Sequence, residues 1–400
     1  MKDELKKIAA EIEAAHHSEF EEISHFIFTH PELGLEEFES SKHIAEYMKS
    51  QGFSVEMPCC GIETAFVATK GVKGPKIAFV AEYDALPGYG PNKENGHACG
   101  HNWIAAVTAA SAVMLAELCE KKGIDCRVML AGSPAEETCG AKVNMVEGHV
   151  FDDVDLCLQA HLEEKTSTVA KALAMSSITF TYTGKAAHSA AAPWNGINAL
   201  DSVQLLYAGI NALRQHVKPD TRIHGIITEG GQAPNIVPDK ASAFFYVRAD
   251  KRSYANEVIE KVLNVARGAA MMTGAELDIK FEDNPYDDYV QLPILRELME
   301  ENLRANGVEP TATEEYAKSR AGSSDIGNVS HACPTMYIEV STETEPAFSA
   351  HEEVCLTLAD SPAAYKKIQQ IACAMVGVAI DALDNPEIFE IAKRQLAERI

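Results

Sequence analysis

The chain has 400 residues, 46% of them apolar, and its 59 acidic against 35 basic side chains leave a formal net charge of -24. That length suits two domains with full cores, and so negative a chain is a poor partner for nucleic acid or an anionic membrane surface. No apolar leader follows the charged opening, no uninterrupted apolar run is expected to span a bilayer, and ten scattered cysteines read as reduced thiols, so a cytoplasmic protein is expected.

Residues 1–51 place Ile8, Ile12, Phe20, Ile23 and Ile27 at helical spacing, broken by the turn His30-Pro31-Glu32-Leu33-Gly34. Strands are predicted over 64–70 and 76–81, either side of a turn at 71–75. The second is almost wholly apolar, as a central strand covered on both faces should be. It runs into Glu82-Tyr83-Asp84-Ala85-Leu86-Pro87-Gly88, and Gly96-His97-Ala98-Cys99-Gly100-His101-Asn102 then precedes an Ala-rich apolar helix. A strand over 126–131 ends in Gly132-Ser133-Pro134-Ala135-Glu136-Glu137, another over 155–160 ends in His161, and one over 336–340 leads to a loop reaching His351. Each is followed by a candidate ligand, and sites in open α/β sheets form beyond the carboxyl ends of strands.

Between residues 174 and 288 the pattern changes. Ile178, Phe180 and Tyr182 alternate with polar residues, and the order strand, helix, strand, strand, helix, strand is that of a split βαβ layer. This region reads as a small ferredoxin-like (βαββαβ) domain, 174–288, inserted into a larger one made of 1–173 and 289–400. Helices close the chain over 362–383 and 386–400.

Cys99 and His101, with Gly100 between them for a tight bend, are donors of the kind zinc or manganese takes. Taken singly, Cys-x-His is a weak signal, and His161 and His351 read as a packed strand-end histidine and a loop histidine. Glu136 and Glu137 after a Pro-containing turn sharpen it, because one can bind metal while the other handles protons. His188, in Gly184-Lys185-Ala186-Ala187-His188-Ser189, is either a turn residue or a histidine presented where a backbone must come close.

The chain resembles the dinuclear-metal aminoacylases, carboxypeptidases and N-acyl amino acid amidohydrolases, in the branch with cysteine in the first metal motif. The likeness is carried by His30-Pro31-Glu32-Leu33-Gly34, Asp84-Ala85-Leu86-Pro87, His97-Ala98-Cys99-Gly100-His101, Pro134-Ala135-Glu136-Glu137, Gly184-Lys185-Ala186-Ala187-His188 and Ala233-Pro234-Asn235-Ile236-Val237-Pro238. Further stretches, among them His224-Gly225-Ile226-Ile227 and Gly322-Ser323-Ser324-Asp325-Ile326-Gly327, look like the subgroup of p-aminobenzoyl-glutamate hydrolases and carnosinase-type dipeptidases. Asn102 stands where many cysteine-type members have aspartate.

The resemblance implies an α/β catalytic domain with a central mixed, mostly parallel sheet flanked by helices, and an inserted lid and dimerisation domain. It implies that Cys99, His101, Glu137, His161 and His351 hold two divalent ions, zinc or manganese with cobalt possible. It gives Glu136 as general base, Asp84 as the residue orienting a ligand, His188 of a partner subunit and Asn235 as substrate contacts, and Arg248 as a carboxylate clamp. The expected protein is a homodimeric metallohydrolase of an amide beside a carboxylate, with hinge motion near Ala174 and Asp288. Two other readings compete: a thiol hydrolase with Cys99 as nucleophile and His101 or His161 as base, and a non-catalytic binding protein that keeps the fold.

Overall fold

The structure, a computed structural model, describes residues 2–90, 92–319 and 321–400. The chain divides into two compact units, Met1–Lys171 with Tyr289–Ile400, and Ala172–Asp288.

In the first unit, α1 (Lys2–Thr29) and α2 (Phe38–Ser50) precede β1 (Ser54–Glu56), β2 (Phe66–Lys70), β3 (Lys76–Ala81), α3 (His101–Lys122), β4 (Arg127–Gly132), α4 (Ala141–Glu147) and β5 (Leu156–Leu162). The predicted strands at 64–70 and 76–81 form but are not neighbours, since β4 lies between them in the order β1-β2-β4-β3-β5-β10, where β10 is Thr335–Val340 near the end of the chain. Strands β3, β4, β5 and β10 run parallel, while β1 and β2 pair antiparallel. The sheet is therefore mixed and mostly parallel, with helices over it, as the apolar character of β3 requires.

Helix α3 shows why length and composition alone do not mark a membrane span. It is long and apolar enough by composition to cross a membrane, yet it is buried almost all round and packs against α1, the late helix α11 (Pro362–Asp384) and strands β3, β4 and β5. A helix apolar on every side needs such a setting. Gly123 in the left-handed region ends it, with its N–H bonded back to the last turn.

The second unit runs β6 (Ala174–Thr183), α5 (Ala199–Leu213), β7 (Arg222–Glu229), β8 (Lys240–Ala249), α6 (Arg252–Thr273) and β9 (Glu276–Phe281). Its antiparallel sheet has the order β7-β8-β6-β9, the ferredoxin-like arrangement. Ile178, Phe180 and Tyr182 of β6 and Ala243, Phe245 and Val247 of β8 bury one face in a common core, the period-two pattern that locks register. Asn198 caps α5 by accepting from the N–H groups of Leu200 and Asp201 at 2.9 and 3.2 Å.

The chain then returns to the first unit as α7 (Pro293–Ala305), α8 (Glu314–Ser319), α9 (Ile326–Ala332), β10 (Thr335–Val340), α10 (Cys355–Leu358), α11 (Pro362–Asp384) and α12 (Glu387–Ala397). Strand β10 pairs in parallel with β5 along its whole length, so the last parallel strand comes from sequence on the far side of the inserted unit.

Candidate metal centre

Four parallel strands deliver the candidate residues to one end of the first unit's sheet. Glu82 and Asp84 follow β3, Glu136 and Glu137 follow β4, and His351 lies in the loop after β10. His161 differs from expectation: it lies inside β5, opposite Glu339 of β10, and does not follow the strand.

Local backbone explains how they are aimed. Gly100 sits at φ +78°, where a side chain would be strained and a Cβ would come 3.1 Å from Leu162 and 3.3 Å from Phe348, so glycine is what turns the chain between Cys99 and His101. Ala135 takes φ 58° just before the glutamates, a costly conformation held from outside. Glu37 Oε1 accepts the Ala135 N–H at 2.7 Å, and Gly34 lets the opening loop lie against Ala135. The early motif His30 to Gly34 thus braces the glutamate turn. The His351 N–H donates to the Ala98 carbonyl at 2.7 Å, tying the two ligand-bearing loops together.

The predicted ligands converge. Ligand atoms of Cys99, His101 and His161 all lie within 4.8 Å of one another, as do those of Cys99, Glu137 and His351 and those of His101, Glu136 and Glu137. Asp84 Oδ1 lies 2.8 Å from His101 Nδ1 and its Oδ2 accepts the Glu137 N–H at 2.9 Å. A carboxylate there fixes the proton on Nδ1 and turns the Nε2 lone pair into the nest. His161 Nδ1 donates to the Leu162 carbonyl at 2.7 Å, which leaves its Nε2 as acceptor, 3.4 Å from Cys99 Sγ. His351 Nε2 lies 3.1 Å from Glu137 Oε1.

These residues fit a divalent cation. His101 Nε2 is buried and finds no hydrogen-bond partner among the described residues, an arrangement that calls for a water or an ion to complete it. Burial opposes charge on His101, but Asp84, then Glu82 and Glu137, outweigh it and hold its pKa well above the usual imidazole range. Thiol, imidazole and carboxylate together are the donors zinc and manganese accept.

The two glutamates are pushed apart. Burial, then Glu137 and Glu82, raise the Glu136 carboxyl well above the ordinary range; burial acts the same way on Glu137, yet His351 and His101 bring it below. Burial, then Glu137 and Glu136, push the Cys99 thiol far up, the reverse of what a nucleophilic cysteine needs. Asn102, in place of an aspartate, turns away to donate to Ser24 Oγ at 2.9 Å and the Ala359 carbonyl at 3.0 Å.

The remaining candidates belong to the second unit. His188 Nδ1 accepts the N–H groups of Ala190 and Ala191, each at 3.2 Å, so the proton sits on Nε2. Its loop is bonded to that of Asn235 through Ser189 N–H and the Asn235 carbonyl at 3.1 Å. Arg248 is not beside them. Thr183, at the His188 end of β6, pairs with Lys240 and Met175 with Arg248, eight residues further along β8 or ~26 Å at strand rise.

Three buried groups were missed by sequence reasoning: Glu82, Lys142 and Asp325. Lys142 Nζ lies 2.6 Å from Glu82 Oε1 and 2.5 Å from Asp325 Oδ1. The available signals were a carboxylate two residues before Asp84 and a lysine amid the apolar residues of a short helix.

Residues 78–374 match the model of Peptidase family M20/M25/M40. The chain is 32% identical over 388 residues to the Xaa-Arg dipeptidase of Mus musculus, covering 93% of this chain and 88% of that one. It is 34% identical over 311 residues to one chain of the p-aminobenzoyl-glutamate hydrolase of Escherichia coli, covering 74% and 64%. A dinuclear metal-binding peptidase of Bacillus subtilis shares the fold, with a TM-score of 0.66 at 19% identity over 93% of this chain and 99% of that one. Sequence, fold and a donor set made for divalent cations agree, and the chain belongs to Peptidase family M20/M25/M40, as a metallohydrolase of amide or peptide bonds.

Proposed function

We propose that the protein cleaves the amide of a dipeptide, an N-acyl amino acid or a p-aminobenzoyl-glutamate-like compound that carries a free carboxylate. The observation behind this reading is the convergence of Cys99, His101, Glu137, His161 and His351, with Glu136 beside them. Two divalent ions held by those five, zinc or manganese with cobalt as a further option, would polarise the carbonyl and acidify water. Glu136 then takes the proton of the attacking water and passes it to the departing amine, a task suited to a carboxyl with raised proton affinity. Glu137 stays ionised as ligand, and Asp84 orients His101. His188, with its Nε2 proton free to donate, would stabilise the oxyanion, worth ~3 kcal/mol in comparable sites, and Asn235 would sit beside it.

Arg248 is the candidate clamp for the substrate carboxylate. Since it stands far along the sheet from His188 of the same unit, the reading that both touch one small substrate calls for two copies of the chain. The exposed edge strand β7, with Ile226 62% and Ile227 47% exposed, is a surface on which a second copy could add antiparallel. The dipeptidase and aminobenzoyl-glutamate hydrolase relatives support the substrate class, and ten free thiols suit a reducing, cytoplasmic setting.

The test is Glu136→Gln in metal-loaded protein, assayed against a panel of such amides. Turnover should vanish while elemental analysis finds the metal still bound; substantial activity with metal intact removes Glu136 as the base. Full activity in a strictly monomeric form would remove the two-copy site.

A further inference from the structure

Behind the candidate ligands lies a second, enclosed charge cluster. Carboxylate oxygens of Glu82, Glu136 and Asp325 all lie within 4.8 Å of one another, and Glu82 and Asp325 are 1% and 0% exposed. They come from three separate places, the end of β3, the turn after β4 and the start of α9. Carboxylates this close in a medium of low dielectric repel strongly and lose the hydration that would screen them.

One cation already stands among them. Lys142 on α4 is fully buried, with Nζ 2.6 Å from Glu82 Oε1 and 2.5 Å from Asp325 Oδ1, and its backbone N–H donates to Asp325 Oδ2 at 3.0 Å. Asp325 is thus gripped by both ends of one residue, and the ammonium cannot swing away without leaving a buried charge unpaired. Glu82 is gripped by one oxygen only. Its Oε2 is buried without a hydrogen-bond partner among the described residues and lies 3.7 Å from the equally orphaned His101 Nε2. Lys142 therefore turns the free oxygen of Glu82 toward the candidate metal nest.

We propose that Lys142 is a positioning residue whose ammonium occupies a carboxylate nest that a further divalent cation would otherwise take, and so holds Glu82 and Glu136 in working orientation beside the metal centre. The functional half of this rests on Glu136 being the base; the cation-counting half does not. A lysine is suited to the task because it is covalently retained and singly charged. It neutralises the nest without competing for the ligands Cys99, His101 and Glu137.

The experiment compares full-length wild type with Lys142→Met and with the charge-balanced double variant Lys142→Met/Asp325→Asn, using Mn2+ as probe and circular dichroism to confirm folding. Mn2+ binding is counted by electron paramagnetic resonance and elemental analysis, and kcat and KM are read separately. Lys142→Met should bind one more equivalent of Mn2+ than wild type, and its kcat should fall by about 100-fold, the upper range for loss of a residue supporting a metal site, with KM little changed. The double variant, having lost both the ammonium and one carboxylate, should fold even where the single one does not, bind no additional Mn2+, and remain slow because Glu82 is no longer held. In folded Lys142→Met, wild-type Mn2+ stoichiometry overturns the claim that the ammonium fills a cation nest, and wild-type kcat in either folded variant overturns the positioning role. If Glu136→Gln is inactive while Lys142→Met is fully active, only the positioning role fails; if Glu136→Gln is active, the base assignment fails and the Mn2+ count still reads the nest.

Discussion

Glu37 offers the most direct test of how the glutamate turn is braced. It is fully buried, accepting from the Ala135 N–H at 2.7 Å and the Thr64 hydroxyl at 2.9 Å. Burial first, and the Asp84 carboxylate second, raise its carboxyl from 4.5 to about 7. Between those values the folded chain keeps a proton that the unfolded chain has lost. The stabilisation is therefore complete below about 4.5, fades as pH rises and is gone above about 7. At about 1.4 kcal/mol per pH unit, full ionisation costs the native state about 3 kcal/mol.

Glu37→Gln removes the titration while keeping the shape: its carbonyl oxygen can accept from Ala135, and its amide can donate to Thr64. Relative to wild type it should gain about 1 kcal/mol of stability at pH 5 and about 3 kcal/mol at pH 8. Urea unfolding of metal-free protein measures this. In a Trp194→Phe background the chain's other tryptophan, Trp103, is buried in the first unit and reports that unit alone. A difference that does not change between pH 5 and pH 8 refutes the reasoning, whatever its sign.

Asp84→Asn should weaken metal binding by about 10- to 100-fold, read by chelator competition, because the amide cannot accept from both His101 and Glu137; unchanged affinity would show that Asp84 does not orient the nest. Gly132→Ala, which drives a Cβ into the Phe66 ring at the end of β4, should cost about 1–3 kcal/mol, and a smaller side chain at Phe66 should recover part of the loss in thermal melts. Removing bound metal with a chelator should lower the melting temperature of the first unit, and Zn2+ or Mn2+ at about 1,000 times its Kd should restore about 4 kcal/mol. Alkylating agents should reach Cys99 only after chelation; activity indifferent to the chelator would instead favour the thiol reading.

Much of the site was legible because its motifs are local. Gly100 between Cys99 and His101, the paired glutamates after a strand, and the switch from apolar runs to alternation at Ile178, Phe180 and Tyr182 each act over a few residues, where backbone geometry follows from residue type. The inserted region could be recognised for the same reason, since the order of its elements is written along the chain. What tertiary structure decided depends on burial and counter-charge, which are properties of packing. Lys142 and Asp325 are 183 residues apart, and in sequence the lysine resembles a surface residue; only enclosure makes its ammonium the partner of two carboxylates. Glu37 lies in the acidic run Glu36-Glu37-Phe38-Glu39, where nothing local marks it as different from its neighbours, yet the fold buries it against Ala135. The placement of β4 between β2 and β3, and of His161 within β5, likewise followed from strand pairing across long separations, where no local propensity reaches.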